Sequence, residues 1–196
     1  IIGNFSSYGF KNIILSVHYK AQMIEDYFGD GSSLGVDITY IHEENRMGTA
    51  GSLSMMKDEL NAPFFVMNGD LLCKVNFLHM LEYHLENNPV ATMGVRQYDF
   101  QIPYGIVNVN NDQITSIEEK PTQNHLVNTG IYILENEVLN YIPDNTFYDM
   151  PTLFKTMIAD KKITIPYPIS EYWLDIGQIN DLEQANREYN KMFNNA

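Results

Sequence analysis

Cysteine is nearly absent from this sequence, which contains only Cys73 among its 196 residues. A single cysteine excludes an internal disulfide and is typical of a reducing compartment, so we expect a cytoplasmic protein. No histidine motif surrounds Cys73, and a buried structural thiol is a more common role for such a residue than a nucleophile. No apolar run approaches the ~20 residues that span a bilayer and no signal peptide opens the sequence, so we expect no membrane partner.

Positive charge is also scarce, because 12 Lys and Arg residues stand against 25 Asp and Glu residues, for a formal net charge of -13. This balance argues against nucleic acid as a partner. An anionic substrate would need local help from a metal ion, a lysine or backbone N–H groups. The hydrophobic content of 44% and the charged content of 19% are those of a globular protein, and the length fits one domain over 1–196.

Predicted strands and helices alternate through the first half of the chain. Strands at 12–17, 36–41 and 64–67 are each followed by a helix, at 21–28, 52–60 and 76–87. This alternation predicts a mostly parallel sheet with helices on both faces. The second half is richer in strands, predicted at 91–98, 106–109, 114–118, 127–134 and 163–169, with helices at 137–142, 150–160 and 179–192.

The apolar run 64–67 reads as a strand that is covered on both faces, and it stops at Asn68-Gly69-Asp70. Glycine lets the backbone turn sharply, which leaves the Asp70 carboxylate at the carboxyl end of the strand. Ligands bind at that end in open α/β sheets. A turn that merely finishes the strand is an equally good interpretation of these three residues alone.

Asp175 is the strongest companion to Asp70, because it lies next to a glycine in an apolar segment, Trp-Leu-Asp-Ile-Gly at 173–177. Two aspartates from distant strand ends suit a magnesium ion bound to a nucleotide, since Mg²⁺ prefers a few hard oxygens plus phosphates and water. Asp175 could instead cap the helix that follows, although Gln178 and Asn180 lie nearer to its start.

Gly48-Thr49-Ala50-Gly51 lies between a predicted strand and a predicted helix. Small residues let a ligand approach the backbone, and free N–H groups at a helix start attract phosphate or the edge of a base. Glu43, just ahead, is an acceptor that would suit the adjacent donors of guanine. A plain helix entry and a solvated surface glutamate are the alternatives.

Lys120 ends a strand in front of Pro121, which disfavours helix and predicts that Lys120 is extended. An ammonium held in this way can neutralise a phosphate, and an exposed Glu–Lys surface pair is an equal alternative. Asn128, Thr129 and Gly130 offer amide and hydroxyl groups inside a strand, with a glycine that permits close contact. That combination suits a hydroxylated ligand such as a sugar.

Taken in order, seven motifs resemble those of the sugar-1-phosphate nucleotidyltransferases, also called nucleoside-diphosphate-sugar pyrophosphorylases. They are Glu43, the segment 48–51, Asn68-Gly69-Asp70, Tyr104-Gly105, Glu119-Lys120-Pro121, Asn128-Thr129-Gly130 and the segment 173–177. Glu43 and the Trp-Leu-Asp-Ile-Gly form are most similar to the mannose-1-phosphate guanylyltransferase-like branch. The resemblance implies a Rossmann-like, three-layer α/β fold with a mixed sheet.

The resemblance also implies the reaction, in which a nucleoside triphosphate, here GTP, and a sugar 1-phosphate give an NDP-sugar and pyrophosphate. By resemblance, Asp70, Asp175 and Lys120 are the catalytic residues, and the two aspartates hold Mg²⁺. The implied nucleotide contacts are Glu43, Gly48, Thr49 and Asp70. The implied sugar-phosphate contacts are Tyr104, Gly105, Glu119, Lys120, Asn128 and Thr129.

The sequence departs from the family pattern at its start, because the family's G-x-G-T-R-x-x-P loop and first strand are not found in it. We therefore expect an N-terminally truncated domain with an apolar groove beside the strand 64–67, and a chain that is inactive unless that strand is supplied. Two alternatives stay open: a regulatory subunit that binds nucleotide sugar without turnover, and a thymidylyl- or uridylyltransferase. The 13 tyrosines and 10 phenylalanines leave room for a homo-oligomer.

Overall fold

The computed structural model describes residues 1–57, 59–60 and 63–193, apart from the side chain of Asn190. These residues contain ten strands and six α-helices. The strands are β1 (Asn12–Val17), β2 (Asp37–His42), β3 (Phe64–Met67), β4 (Leu71–Cys73), β5 (Ala91–Gln101), β6 (Ile106–Asn110), β7 (Gln113–Glu118), β8 (Thr122–Leu134), β9 (Thr164–Pro168) and β10 (Trp173–Asp175). The helices are α1 (Ile2–Ser7), α2 (Ala21–Phe28), α3 (Gly48–Gly51), α4 (Phe77–Asn87), α5 (Met150–Ala159) and α6 (Ile179–Phe193), with 3₁₀ helices at Ser32–Leu34, Ser52–Met56 and Asn136–Tyr141.

The largest sheet has the strand order β3-β8-β5-β9. β8 runs antiparallel to both β3 and β5, whereas β9 runs parallel to β5. The predicted mixed α/β fold is therefore confirmed. Among the described strands, the expected parallel pairing is found only for β5 with β9 and for the separate pair β1 with β2. β8 runs in the opposite direction between β3 and β5, and β4 with β10 and β6 with β7 are also antiparallel.

Alternate residues of the central strands face two different cores. Phe64 and Val66 of β3 pack with α5 in a first core, whereas Phe65 and Met67 pack with α1 and α4 in a second core. β8 follows the same alternation, with its residues at 132 and 134 in the first core and those at 131 and 133 in the second. The period of two is the geometry of a strand that is covered on both faces, as predicted for 64–67.

One edge of β3 has no strand beside it within the described residues, because β3 pairs only with β8. All four residues of β3 remain partly exposed. Ile13 and Ile14 of β1 pack against the second and first cores, so β1 lies alongside the same two layers without joining the sheet. β3 therefore has one unpaired edge, and the apolar groove expected beside 64–67 stays a prediction.

Several elements differ in length or type from the prediction. The helix predicted at 52–60 is a 3₁₀ helix over Ser52–Met56, and the one at 137–142 is also 3₁₀. β5 and β8 are longer than predicted, because they continue past the sheet as a two-stranded ribbon that runs from the pair Arg96 and Val127 to the pair Gln101 and Thr122. No helix of the described residues is long and apolar enough to cross a membrane.

Candidate functional site

The two aspartates predicted as metal ligands lie side by side. Asp70 immediately precedes β4, and Asp175 is the last residue of β10, which pairs antiparallel with β4 so that Asp175 stands opposite Leu71. The Ile176 amide donates a hydrogen bond to the Asp70 carbonyl oxygen at 2.8 Å. A short ladder between two distant parts of the chain therefore brings both carboxylates to one place, as the sequence predicted.

The electrostatics of this pair favour a cation. Burial, followed by repulsion from Asp70 and Asp181, raises the pKa of Asp175 above the usual value of an aspartate. A carboxylate whose pKa is raised by neighbouring acids is stabilised in its charged form when a positive charge lies nearby. The aspartate pair therefore has the electrostatic character of a cation site.

The donor set fits Mg²⁺ that reaches the site with a phosphate ligand. Among the described residues, no group of three or more His, Cys, Asp and Glu side chains could hold a metal by itself. Mg²⁺ is commonly bound through one or two carboxylates, with phosphate and water oxygens completing its octahedral shell. Asp70 and Asp175 supply that number of carboxylates, so the remaining ligands would come from substrate and solvent.

β8 forms the wall beside the aspartate pair. The Asn68 amide donates to the Gly130 carbonyl oxygen at 2.9 Å, and the Trp173 indole Nε1–H donates to the Thr129 carbonyl oxygen at 2.9 Å. Gly130 has a φ of +73°, and a Cβ there would lie 2.7 Å from Asn68 Nδ2. This glycine makes room for the protein's own Asn68, which corrects the prediction that it makes room for a ligand.

Asn128 and Thr129 both use their side chains within the protein. The Asn128 amide donates to the Tyr132 hydroxyl at 2.7 Å and its oxygen accepts from the Gly130 amide at 2.9 Å. The Thr129 hydroxyl is 1% exposed and donates to the Gly94 carbonyl oxygen at 2.8 Å. Thr129 therefore joins β8 to β5, which corrects the predicted contact of this hydroxyl with a sugar, whereas Asn128 is itself exposed.

The Gly48-Thr49-Ala50-Gly51 segment is occupied by another part of the chain. The amides of Ala50 and Gly51 donate to the Tyr148 carbonyl oxygen at 3.0 and 2.9 Å. A Cβ on Gly48 would lie 2.7 Å from that same oxygen, and the Thr49 hydroxyl accepts from the Met150 amide at 2.8 Å. The prediction of free N–H groups at this helix start is corrected for residues 50 and 51, because the loop before α5 has bonded them.

Glu43 has a structural role that was not predicted. One carboxylate oxygen accepts from the Ser16 hydroxyl at 2.7 Å, and the other accepts from the Met47 amide at 3.0 Å. The side chain thus ties the end of β1 to the start of α3. A cleft with a volume of about 340 Å³ opens beside this loop, lined by His42, Glu44, Asn45, Met47, Met55 and Asn145.

The other predicted residues form a second group, beyond the end of the ribbon. A Cβ on Gly105 would lie 2.9 Å from Glu119 Oε2, so these two predicted sugar contacts are neighbours, and Tyr104 is 74% exposed beside them. Lys120 has a φ of +46°. The prediction of an extended Lys120 is therefore wrong, because the chain makes a left-handed turn immediately before Pro121.

The structure does not bring this second group to the aspartates. Lys120 precedes Thr122, where the ribbon begins, and Asn128 lies six residues farther along β8, or about 20 Å at the rise of a strand. Of the three catalytic residues predicted, Asp70 and Asp175 therefore converge and Lys120 lies at the far end of the ribbon. Asn68 and Trp173 frame the aspartates, and the sequence motifs did not predict this role. Each lies two residues before an aspartate, which is the signal that could have identified it.

Similarity to known proteins extends over nearly the whole chain. A family model described as nucleotidyl transferase matches residues 1–192. The chain is 31% identical over 180 residues to a mannose-1-phosphate guanylyltransferase catalytic subunit beta of Dictyostelium discoideum, covering 88% of this chain and 50% of the relative. It is 33% identical over 202 residues to a UTP–glucose-1-phosphate uridylyltransferase of Synechocystis sp., covering 92% and 52%. The chain thus spans about half the length of the curated relatives it matches.

Solved structures show the same fold. HddC from Yersinia pseudotuberculosis superposes with a TM-score of 0.72 at 24% identity, covering 96% of this chain and 83% of that one. A putative glucose-1-phosphate thymidylyltransferase from Bacillus anthracis superposes with a TM-score of 0.74 at 22% identity, covering 95% and 79%.

Proposed function

Since this chain belongs to the nucleotidyl transferase family, we propose that it transfers a nucleotidyl group from GTP to a sugar 1-phosphate, with mannose 1-phosphate as the sugar substrate. The products are a GDP-sugar and pyrophosphate. Several similar proteins carry the name mannose-1-phosphate guanylyltransferase, including those of Dictyostelium discoideum and Mycobacterium tuberculosis. A structure of HddC has also been solved with GMP-PN, which supports a guanine nucleotide as the first to test.

The observation that carries this proposal is the convergence of Asp70 and Asp175 at one end of the β4–β10 ladder. These two carboxylates would hold Mg²⁺ together with phosphate oxygens of the substrates. Bound there, the ion would neutralise charge on the phosphates and help to hold them in line. Burial and the neighbouring carboxylates Asp70 and Asp181 raise the pKa of Asp175, and a cation bound there would offset this repulsion.

In the proposed reaction, a phosphate oxygen of the sugar 1-phosphate forms a bond to the α-phosphorus of the nucleoside triphosphate. The bond from that phosphorus to the bridging oxygen of the β-phosphate breaks, and pyrophosphate leaves with the electron pair. The protein then contributes chiefly position and charge. Lys120 would neutralise the sugar phosphate, which requires the ribbon to bend toward the aspartates.

The remaining contacts with the sugar and the base are proposed from where the residues lie in the fold. Glu119 and Gly105 lie next to each other and would hold sugar hydroxyls beside Tyr104, and the exposed Asn128 would hold another from β8. Gly48, Thr49 and Glu43 would approach the base from the loop that borders the cleft. Glu43 would have to exchange at least one of its two present hydrogen bonds to do so.

A pyrophosphate-release assay on the full-length protein tests the proposal, run with each of the four nucleoside triphosphates and with several sugar 1-phosphates. We expect turnover with GTP and mannose 1-phosphate, and loss of turnover in Asp70→Asn and Asp175→Asn. Asp37→Asn, at the exposed start of β2, is the matched control and should leave the rate unchanged. Turnover with dTTP or UTP alone would overturn the base assignment. Near-normal rates in both aspartate variants would overturn the metal assignment, and binding of nucleotide sugar without any turnover would favour a regulatory subunit.

The proposed substrates and product also indicate a cellular compartment and a biosynthetic role. A nucleotide sugar is the activated donor for polysaccharide biosynthesis, and nucleoside triphosphates are supplied in the cytoplasm. We therefore place the protein there, as a supplier of nucleotide sugar.

A further inference from the structure

The segments that lead to the two aspartates are hydrogen-bonded to adjacent residues of β8. The Asn68 amide, two positions before Asp70, donates to the Gly130 carbonyl oxygen at 2.9 Å. The Trp173 indole, two positions before Asp175, donates to the Thr129 carbonyl oxygen at 2.9 Å. From this arrangement we infer that Trp173 is a positioning residue, whose indole N–H fixes Asp175 relative to Asp70.

Three hydrogen bonds close a ring around the aspartate pair. The first joins Asn68 to β8, the second joins Trp173 to β8, and the third runs from the Ile176 amide to the Asp70 carbonyl oxygen at 2.8 Å. Two of them are formed between backbone groups. The second is donated by a side chain, so it is the one that a substitution can remove.

The strand that carries Asp175 is held by a short ladder. β10 pairs with β4 over three residues, and the Lys74 amide extends the ladder with one hydrogen bond to the Tyr172 carbonyl oxygen at 2.9 Å. In a strand, residues two apart point to the same face, so the Trp173 and Asp175 side chains share one face of β10. A shift of the indole is therefore transmitted directly to the carboxylate.

The surroundings of Trp173 indicate that its indole N–H can be removed without unfolding the protein. The ring packs at the margin of the second core, where it is partly buried, whereas the centre of that core is built from fully buried side chains such as Phe77 and Met80. Loss of the N–H alone removes no apolar contact. We therefore expect weaker cation binding with the fold retained.

Trp173 is the single tryptophan of the chain, which permits an exact test. Growth of a tryptophan auxotroph on β-(3-benzothienyl)alanine replaces only residue 173, with a ring of the same shape that has sulfur where the indole has N–H. Trp173→Phe is the second variant. Tyr40→Phe is the matched control, because it also removes one side-chain hydrogen bond to a backbone carbonyl, that of Tyr40 to Gly29 at 2.8 Å, in a different sheet.

The measurement is Mn²⁺ binding in the presence of GTP, which supplies the phosphate ligands, followed by electron paramagnetic resonance. Thermal unfolding of each protein is the check on folding. We expect the benzothienyl protein and Trp173→Phe to bind Mn²⁺ about tenfold more weakly than the unmodified chain, which is the lower range for loss of a group that supports a metal ligand. Tyr40→Phe should bind as the unmodified chain does. Equal affinity in the benzothienyl protein would overturn the inference.

The inference rests on the proposed metal site, and the two can fail separately. If Asp70→Asn and Asp175→Asn bind Mn²⁺ as well as the unmodified chain, the cation does not bind at the aspartates and the proposed function loses its metal. If both aspartate variants lose Mn²⁺ while the benzothienyl protein keeps it, only the role of Trp173 is wrong.

Discussion

Replacement of Gly48 by alanine should destabilise the protein, because this glycine is pressed against another backbone segment. Gly48 has a φ of +76°, and an added Cβ would lie 2.7 Å from the Tyr148 carbonyl oxygen. Left-handed backbone strain costs about 1–2 kcal/mol, and overpacking against an atom that cannot rotate away costs about 1–3 kcal/mol. The sum of about 2–5 kcal/mol in the free energy of unfolding corresponds to a fall of roughly 4–20 °C in Tm for a chain of this length.

Scanning calorimetry at neutral pH measures this change, with Gly3→Ala as the control. Gly3 lies in α1, and a Cβ added there meets nothing within 4 Å, so alanine should leave Tm unchanged or raise it slightly through helix propensity. If Gly48→Ala unfolds at the temperature of the unmodified chain, the contact with residue 148 does not hold α3 in place. The segment 48–51 would then be free to admit a ligand, as its composition first indicated.

Three further predictions concern stability. Replacing His84 by leucine removes the partner of the Thr92 hydroxyl. Thr92 is 0% exposed and its hydroxyl lies 2.7 Å from the imidazole, so we expect the free energy of unfolding in urea to fall by about 1–3 kcal/mol. Adding Thr92→Val should recover part of this loss, and strictly additive losses would contradict the role of this hydrogen bond. Burial and neighbouring carboxylates raise the pKa of Asp175, so its charged form destabilises the metal-free protein above that pKa. Asp175→Asn should therefore raise Tm at pH 7 and have no effect on Tm below the ordinary carboxyl pKa of about 3.9. An equal shift of Tm at both pH values would refute this linkage between protonation and stability. Asp149 caps α5, and hydrogen bonds with the side chain and the amide of Thr152 lower its pKa. Asp149→Ala should lower the free energy of unfolding by about 0.5–2 kcal/mol near neutral pH, and this loss should shrink as the pH falls through the lowered pKa.

The sequence could predict those parts of the fold that depend on local periodicity. The run 64–67 is a strand with alternate side chains in two cores, as expected. The helix predicted at 76–87 is also found, as α4, and Asn76 caps it by accepting from the His79 amide at 3.1 Å. The convergence of Asp70 and Asp175 was also predicted, because both follow short apolar runs and the matching motifs occur in a known order.

Long-range partners could not be predicted in this way. The loop at 146–148, about a hundred residues away, packs against the glycines at 48 and 51 and bonds the amides of residues 50 and 51. The composition of this segment could not distinguish a ligand from the protein's own backbone. β8 runs antiparallel to β3 and β5 on either side of it. Strand periodicity does not show which strands will be neighbours or in which direction they run. The position of Lys120 depends on the length of the ribbon, and the predicted strands were too short to show that the lysine lies at its far end.

The most direct test of the aspartate pair compares three variants in the pyrophosphate-release assay with saturating Mg²⁺: Asp70→Asn, Asp175→Asn and the double variant. If both carboxylates hold one ion, either substitution removes the same site, so the double variant should be no slower than the slower single variant. Losses that multiply in the double variant, or a single variant with the rate of the unmodified chain, would show that Asp70 and Asp175 do not serve one cation.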